Sequence, residues 1–258
     1  QLFIMDSNGS DQKLLTDQLP GCLCNPDRPM AWSPDGKWIS LAGQTGQIDQ
    51  AQIVDLFVVR SDGSKVTNLT NSPGYYAGFT WDPDSKSILF MNARENPNIY
   101  RVNVNNKKID ALLEGPIDAV PAGFSPDGSL LVWDGRNGTI SVLRFSKTGI
   151  VKQQLTSGPG YDKYPAWSRD GQKVLFMRRE GEKNDIILMN VDGSGQVNLT
   201  ADSGAANYWP SFSPDGEKII YMTENQNQWE TMLMNADGSG KTSLTGVFGL
   251  IPSLSWQP

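Results

Sequence analysis

The 258 residues contain no histidine. Ser-His-Asp and Cys-His nucleophiles, histidine bases and His-containing metal sites are therefore excluded within this chain. The remaining chemistry belongs to carboxylates, aromatic rings and arginine. Asp49, Asp55, Glu95, Asp134, Asp162, Glu180, Asp202 and Glu224 stand on segments of variable length, and two such acids can flank a glycosidic bond. No spacing in the chain pairs any two of them, so they read as solvated acids and no enzymatic activity is expected. Cys22 and Cys24 lack the second ligand pair of a zinc site. Asp6 to Asp11 begins like a calcium loop but has Asp11 where glycine is required and Asp17 where the bidentate glutamate belongs. No metal or other cofactor is expected.

The aromatic and cationic set is more informative. Tyr75, Tyr76, Tyr161, Tyr164, Tyr208, Trp209 and Phe248 fall on the variable segments, with Arg28, Arg94, Lys163, Arg178 and Arg179 among them. Tyr, Trp and Arg are enriched at the centres of protein contacts, because each joins large rigid area to a polar handle. Arg28, Tyr75, Tyr76, Arg94, Tyr161, Tyr164, Arg178, Tyr208, Trp209 and Phe248 are thus the partner-binding candidates. The competing reading is that some of these rings fill gaps between structural modules.

A recurring phrase supplies the elements that must position them. Trp32-Ser33-Pro34-Asp35-Gly36 returns at Trp81, Phe124, Trp167 and Phe212, and in truncated form at Trp256, every 43 to 49 residues. In Ser-Pro-Asp-Gly the proline presets φ, the aspartate bonds back onto backbone amides, and the glycine takes the positive φ that closes a hairpin. Short apolar runs follow, such as Leu130-Leu131-Val132-Trp133 and Ile219-Ile220-Tyr221-Met222, which read as buried strands. A second hairpin turns at Asn8-Gly9, Asp62-Gly63, Asp192-Gly193 or Asp237-Gly238, and the return strand closes on Leu-Thr pairs such as Leu69-Thr70 and Leu199-Thr200.

Four-stranded modules of this period predict an all-β, six-bladed β-propeller. Its antiparallel blades fall at about 29–70, 78–113, 121–156, 164–200 and 209–245, with 1–16 and 252–258 sharing the sixth. One domain over 1–258 is expected, its sixth blade closed by N- and C-terminal strands, with residues upstream of Gln1 supplying the strand the sequence lacks. The motif aromatics are expected between blades. The two kinds of tight turn share one end of every blade, and the variable loops share the other, where binding is usually placed. A net charge of -6 argues against a nucleic-acid surface. No apolar stretch approaches the roughly 20 residues that would span a bilayer.

The unit built from Trp-Ser-Pro-Asp-Gly, an apolar strand, Ile187 to Ser194 and closing Leu199-Thr200 resembles the repeats of the TolB propeller family, and Ser157 to Trp167 is similar to that family's inter-blade loop. The resemblance covers essentially the whole chain, without the family's helical amino-terminal domain. It implies a periplasmic or otherwise extracytoplasmic place and a protein partner at the loop-rich mouth, where that family binds a peptidoglycan-associated lipoprotein. The expected function is a non-enzymatic, monomeric protein-binding scaffold serving an envelope lipoprotein or membrane complex. A carbohydrate-binding or carbohydrate-cleaving propeller, and the gating propeller of a peptidase, stand as alternatives.

Overall fold

A computed structural model describes residues 2–6, 10–19, 30–48, 51–72, 74, 76–92, 98–113, 119–147, 149–226, 228–244 and 255–257. Every regular element among them is a strand. Strands β1 (Leu2–Ile4) and β2 (Lys13–Thr16) form a two-stranded sheet. The first four-stranded blade follows as β3 (Ala31–Trp32), β4 (Trp38–Ile48), β5 (Ala51–Arg60) and β6 (Val66–Asn68), the second as β7 (Tyr76–Trp81), β8 (Ser87–Asn92), β9 (Asn98–Asn103) and β10 (Ile109–Leu113). The third holds β11 (Ala119–Phe124), β12 (Leu130–Asp134), β13 (Ile140–Ser146) and β14 (Gly149–Gln154), and the fourth β15 (Tyr161–Trp167), β16 (Lys173–Glu180), β17 (Lys183–Asn190) and β18 (Val197–Asn198). The fifth holds β19 (Ala206–Phe212), β20 (Lys218–Asn225), β21 (Gln228–Asn235) and β22 (Thr242–Ser243). Neighbouring strands pair antiparallel in chain order.

Five blades, not six, are thus complete among the described residues, which corrects the sixth-blade expectation. Ser255 to Gln257 carry no strand. A first strand at Trp256 needs a second strand to receive its hydrogen bonds, and none pairs with it among the described residues. The chain divides into two compact units, residues 1–121 with 252–258, and residues 122–251.

The tight turns explain the motif residue by residue. Ser33 Oγ donates to Asp35 Oδ1 at 2.7 Å and accepts from the Trp38 amide at 3.0 Å, while Asp35 Oδ1 accepts from the Lys37 amide at 3.2 Å. Ser168 and Ser213 close the same loop with Asp170 and Asp215. The hydroxyl bonds hold the carboxyls of Asp35, Asp127, Asp170 and Asp215 below the usual range. Gly36, Gly128, Gly171 and Gly216 take φ of +68°, +82°, +69° and +78°, and Ser85 stands in the same conformation at +60°. In the second blade Asp82 replaces the serine. It is 9% exposed and pairs with Arg101 at 2.8 Å; burial pushes its pKa up against the pull of that guanidinium.

Hydrophobic cores form between consecutive sheets. Ala42, Val54, Leu56 and Val58 of the first blade pack with Phe79, Trp81, Ile88, Phe90 and Val102 of the second, and Leu175 and Ile186 of the fourth pack with Ile219, Tyr221 and Met234 of the fifth. The motif tryptophans lie between blades as expected. Trp81 Nε1 donates to the Ala31 carbonyl at 3.0 Å, and Trp167 Nε1 to the Gly123 carbonyl at 3.1 Å.

The closing Leu-Thr pairs also have a physical reason. Thr70 and Thr156 hydroxyls accept the Leu56 and Ile140 amides at 3.1 and 3.0 Å, and Thr200 accepts the Ile186 amide at 3.0 Å. Thr70 and Thr200 then donate to Asp55 and Asp185 at 2.7 and 2.8 Å. Asp55, 2% exposed, is therefore a structural anchor rather than a solvated loop acid.

Candidate functional site

The described candidates do not lie on loops. Tyr76 begins β7, Tyr161 and Tyr164 lie in β15, Arg178 in β16, and Tyr208 and Trp209 in β19. Arg28, Tyr75, Arg94 and Phe248, with Cys22 and Cys24, lie outside the described residues. A bulge moves the aromatic pair into the strands. Lys163 pairs with Met177 and Ala166 with Leu175, so Tyr164 and Pro165 together oppose one residue of β16. Trp209 and Pro210 repeat the bulge in β19, between the Tyr208–Met222 and Ser211–Ile220 pairs. The prolines fit because the ladder is already broken there and no N–H is required.

The first bulge residue is left-handed, with φ of +53° at Tyr164 and +55° at Trp209. In the second blade the same slot, between the Ala77–Met91 and Thr80–Leu89 pairs, holds Gly78 at +64°. Glycine occupies that region freely; a bulky side chain there costs about 1–3 kcal/mol. The fourth and fifth blades therefore carry strain at a place where the second carries none.

That strain aims the rings into a continuous cluster. Trp133 meets Tyr164 edge-on at 5.4 Å, Tyr164 meets Trp209 at 6.4 Å, and Trp209 stacks on Trp229 at 5.4 Å with 2° between the planes. Tyr208 lies 5.4 Å from Trp209 and 5.0 Å from Trp229. Its hydroxyl donates to Glu224 at 3.2 Å; burial pushes the phenol pKa up, an Asn184 bond opposes, and Glu224 adds to the rise. Buried polar atoms lacking a partner among the described residues include Trp209 Nε1, Asn184 Oδ1 and Asn207 Oδ1, all from the fourth and fifth blades. Trp133 and Trp229 end and begin strands at the variable end of their blades, and composition alone did not connect them with the candidates.

Other candidates are engaged differently. Arg178 grips Asp162 with both arms, Nε to Oδ1 at 2.7 Å and Nη2 to Oδ2 at 2.9 Å, and Asp162 is 2% exposed. Tyr161 donates its hydroxyl to the Gly135 carbonyl. Tyr76, 5% exposed, lies in the core of the first two blades, edge-on to Phe90 at 5.1 Å. The acids are accounted for as well: Asp134 caps the Arg136 and Asn137 amides, Asp202 binds Lys241 at 2.7 Å, and Asp49 and Glu95 lie outside the described residues. No group of three His, Cys, Asp or Glu side chains gathers among the described residues to hold a metal ion. No described helix is long and apolar enough to cross a membrane.

Comparison with known proteins gives this architecture a family. An uncharacterised protein of Agrobacterium fabrum is 26% identical over 188 residues, which are 69% of this chain and 61% of that one. The Tol-Pal system protein TolB of Francisella tularensis is 25% identical over 213 residues, 79% of this chain and 47% of its own length. The chain thus spans less than two thirds of each of these relatives. Among solved structures, TolB from Acinetobacter baumannii superposes with a TM-score of 0.79 at 22% identity, over 99% of this chain and 62% of that chain. The tricorn protease matches at 0.72 and 15%, over 96% and 24%, and an oligogalacturonate lyase in complex with manganese at 0.58 and 14%, over 94% and 71%. The TolB β-propeller domain model matches residues 1–258, and the chain belongs to that family.

Proposed function

We propose that this chain is a non-enzymatic, extracytoplasmic protein-binding propeller, and that the variable end of its fourth and fifth blades receives the partner, an envelope lipoprotein or a membrane complex. The observation that carries the reading is the pair of left-handed aromatic residues, Tyr164 and Trp209, in a slot that glycine fills in the second blade. Strain is retained where surrounding structure over-determines it, commonly at functional sites. The name of the Francisella relative, a Tol-Pal system protein, supports a protein partner. Tyr161 and Tyr208 extend the surface, and Arg28, Tyr75, Arg94 and Phe248 remain partner-binding candidates on their residue types alone. Arg178 acts from beneath, through its pairing with Asp162, as a support for the strand carrying Tyr161 and Tyr164, whereas Tyr76 belongs to the core of the first two blades.

The same reading takes β1 and β2 as part of a further repeat of the blade pattern. The Trp32 amide donates to Ser255 Oγ at 3.4 Å, and Ser255 precedes Trp256 as Ala31 precedes Trp32. Gly63 approaches the Leu15 carbonyl as Gly193 approaches that of Leu155, so β1 and β2 stand where the third and fourth strands of a blade belong.

Lysine cross-linking of the chain in native membranes tests the assignment. Cross-links from Lys163 and Lys183, at the variable end, to one partner are expected. A partner linked only through Lys37, Lys86 and Lys218, at the turn end, would refute it.

A further inference from the structure

Lys163 lies in β15 two residues after Tyr161, so both side chains share one face of the strand, and Asp162 between them points to the other. Its Nζ stands 4.7 Å from the centre of the Tyr161 ring, 5.3 Å from Trp133 and 6.0 Å from Tyr164. Three aromatic rings thus flank the ammonium of a half-buried lysine. No hydrogen bond or ion pair to this ammonium exists among the described residues, and the neighbouring carboxylate, Asp162, is consumed by Arg178. Arg179 lies opposite Tyr161 in the register, hence on the same face, and donates Nε to the Gly181 carbonyl at 3.1 Å without an ion pair to any described carboxylate. Two cations therefore share one face of the β15–β16 hairpin, and no described acid forms an ion pair with either, in a chain whose net charge is -6. An ammonium has three donors and no acceptor, so one that meets only aromatic rings among the described residues is open to an anion.

We propose that Lys163 is the receptor for a side-chain carboxylate of the protein partner, delivered by an acidic segment that lays apolar groups against Tyr161 and Tyr164. The inference rests on the protein-binding reading above and names the chemistry of the segment recognised. The apolar rings beside the ammonium strengthen its attraction for an arriving carboxylate, and they reward aromatic or aliphatic neighbours of that acid. Arg179 steers the same segment from the edge of the hairpin.

A random peptide library displayed on phage and selected against the full chain, its Lys163→Met variant and its Lys163→Arg variant tests this. The wild type and Lys163→Arg enrich peptides containing Asp or Glu, and Lys163→Met loses that preference with its thermal midpoint unchanged. A synthetic peptide from the wild-type selection binds Lys163→Met about ten- to a hundredfold more weakly, and its Asp→Asn or Glu→Gln version binds the wild type as weakly. Peptides enriched without acidic preference, or the same acidic preference on Lys163→Met, would overturn the inference and leave the protein-binding reading standing. Enrichment of no peptide by the wild type would overturn both. Lys163-dependent binding of oligogalacturonate in place of peptides would assign the ammonium to an acidic sugar and overturn both equally.

Discussion

Gly78 and Trp209 occupy the same place in two blades, and the rest of each blade shows why they differ. Around Gly78 there is no room: a Cβ there would stand 2.5 Å from Val120 Cγ1 and 2.8 Å from the Pro121 carbonyl oxygen. The slot in the second blade serves close packing alone. In the fourth and fifth blades the same left-handed turn carries an indole and a phenol into a ring cluster with Trp133, Tyr208 and Trp229. One backbone device serves packing in one region and presentation of side chains in another. The contrast extends to polar groups, since the Ser-Asp turns close their bonds within themselves or on a neighbouring turn, whereas Trp209 Nε1, Asn184 Oδ1 and Asn207 Oδ1 lack partners among the described residues.

The largest effect should come from treating the two slots alike. Gly78→Ala is expected to lose about 2–4 kcal/mol in denaturant unfolding, from the positive φ plus overpacking against Val120 and Pro121. At the other slot the order of alanine and glycine should invert relative to an ordinary strand. Trp209→Ala and Trp209→Gly both lose the ring stack, but the glycine variant should be the more stable by about 1 kcal/mol, because alanine retains the left-handed penalty. Equal stabilities would mean that Trp209 carries no strain. A smaller effect separates the turn end from the variable end. Ser213→Ala should cost about 1–2 kcal/mol by removing the hydroxyl that accepts the Lys218 amide and donates to Asp215, and should leave partner capture unchanged.

The smallest effects are those of pH. Folded-state pKa values of Asp35, Asp127, Asp170 and Asp215 lie below the ordinary value of 3.8, so their contribution is present above that value and fades as pH falls below it. Tyr221 behaves oppositely. Burial, with Asp202 adding, pushes its phenol up from 10.0 to about 12, so its contribution is complete below pH 10.0 and is lost as pH rises toward about 12. Ultraviolet titration should show one tyrosine ionising near the upper value, or only on unfolding.

The fold was legible because its signals are local. Ser-Pro-Asp-Gly closes its own turn, and the Leu-Thr pairs cap a neighbouring strand, so a repeat of short phrases yields strand count and order. The chain ends were less legible: a sixth blade was expected from them, but β1 and β2 form a two-stranded sheet and Ser255 to Gln257 carry no strand. The site was half legible: Tyr161, Tyr164, Tyr208 and Trp209 were chosen for their chemistry, but assigned to loops. A bulge has no distinct residue signature when glycine is absent, and it decides which face each side chain takes. One signal was available in the sequence. The residue three before each motif aromatic is Pro29, Gly78, Pro121, Tyr164, Trp209 and Ser253, and the two rings stand out against small or cyclic residues. Trp133 and Trp229 were invisible, because only tertiary structure brings the end of one second strand and the start of one third strand together with them.

Amide hydrogen exchange of the chain with and without its captured partner tests the central assignment most directly. The account predicts new protection over residues 160–164 and 206–209, where the strained rings meet. Protection confined to residues 33–36, 168–171 and 213–216, the turns at the opposite end of the blades, would contradict it.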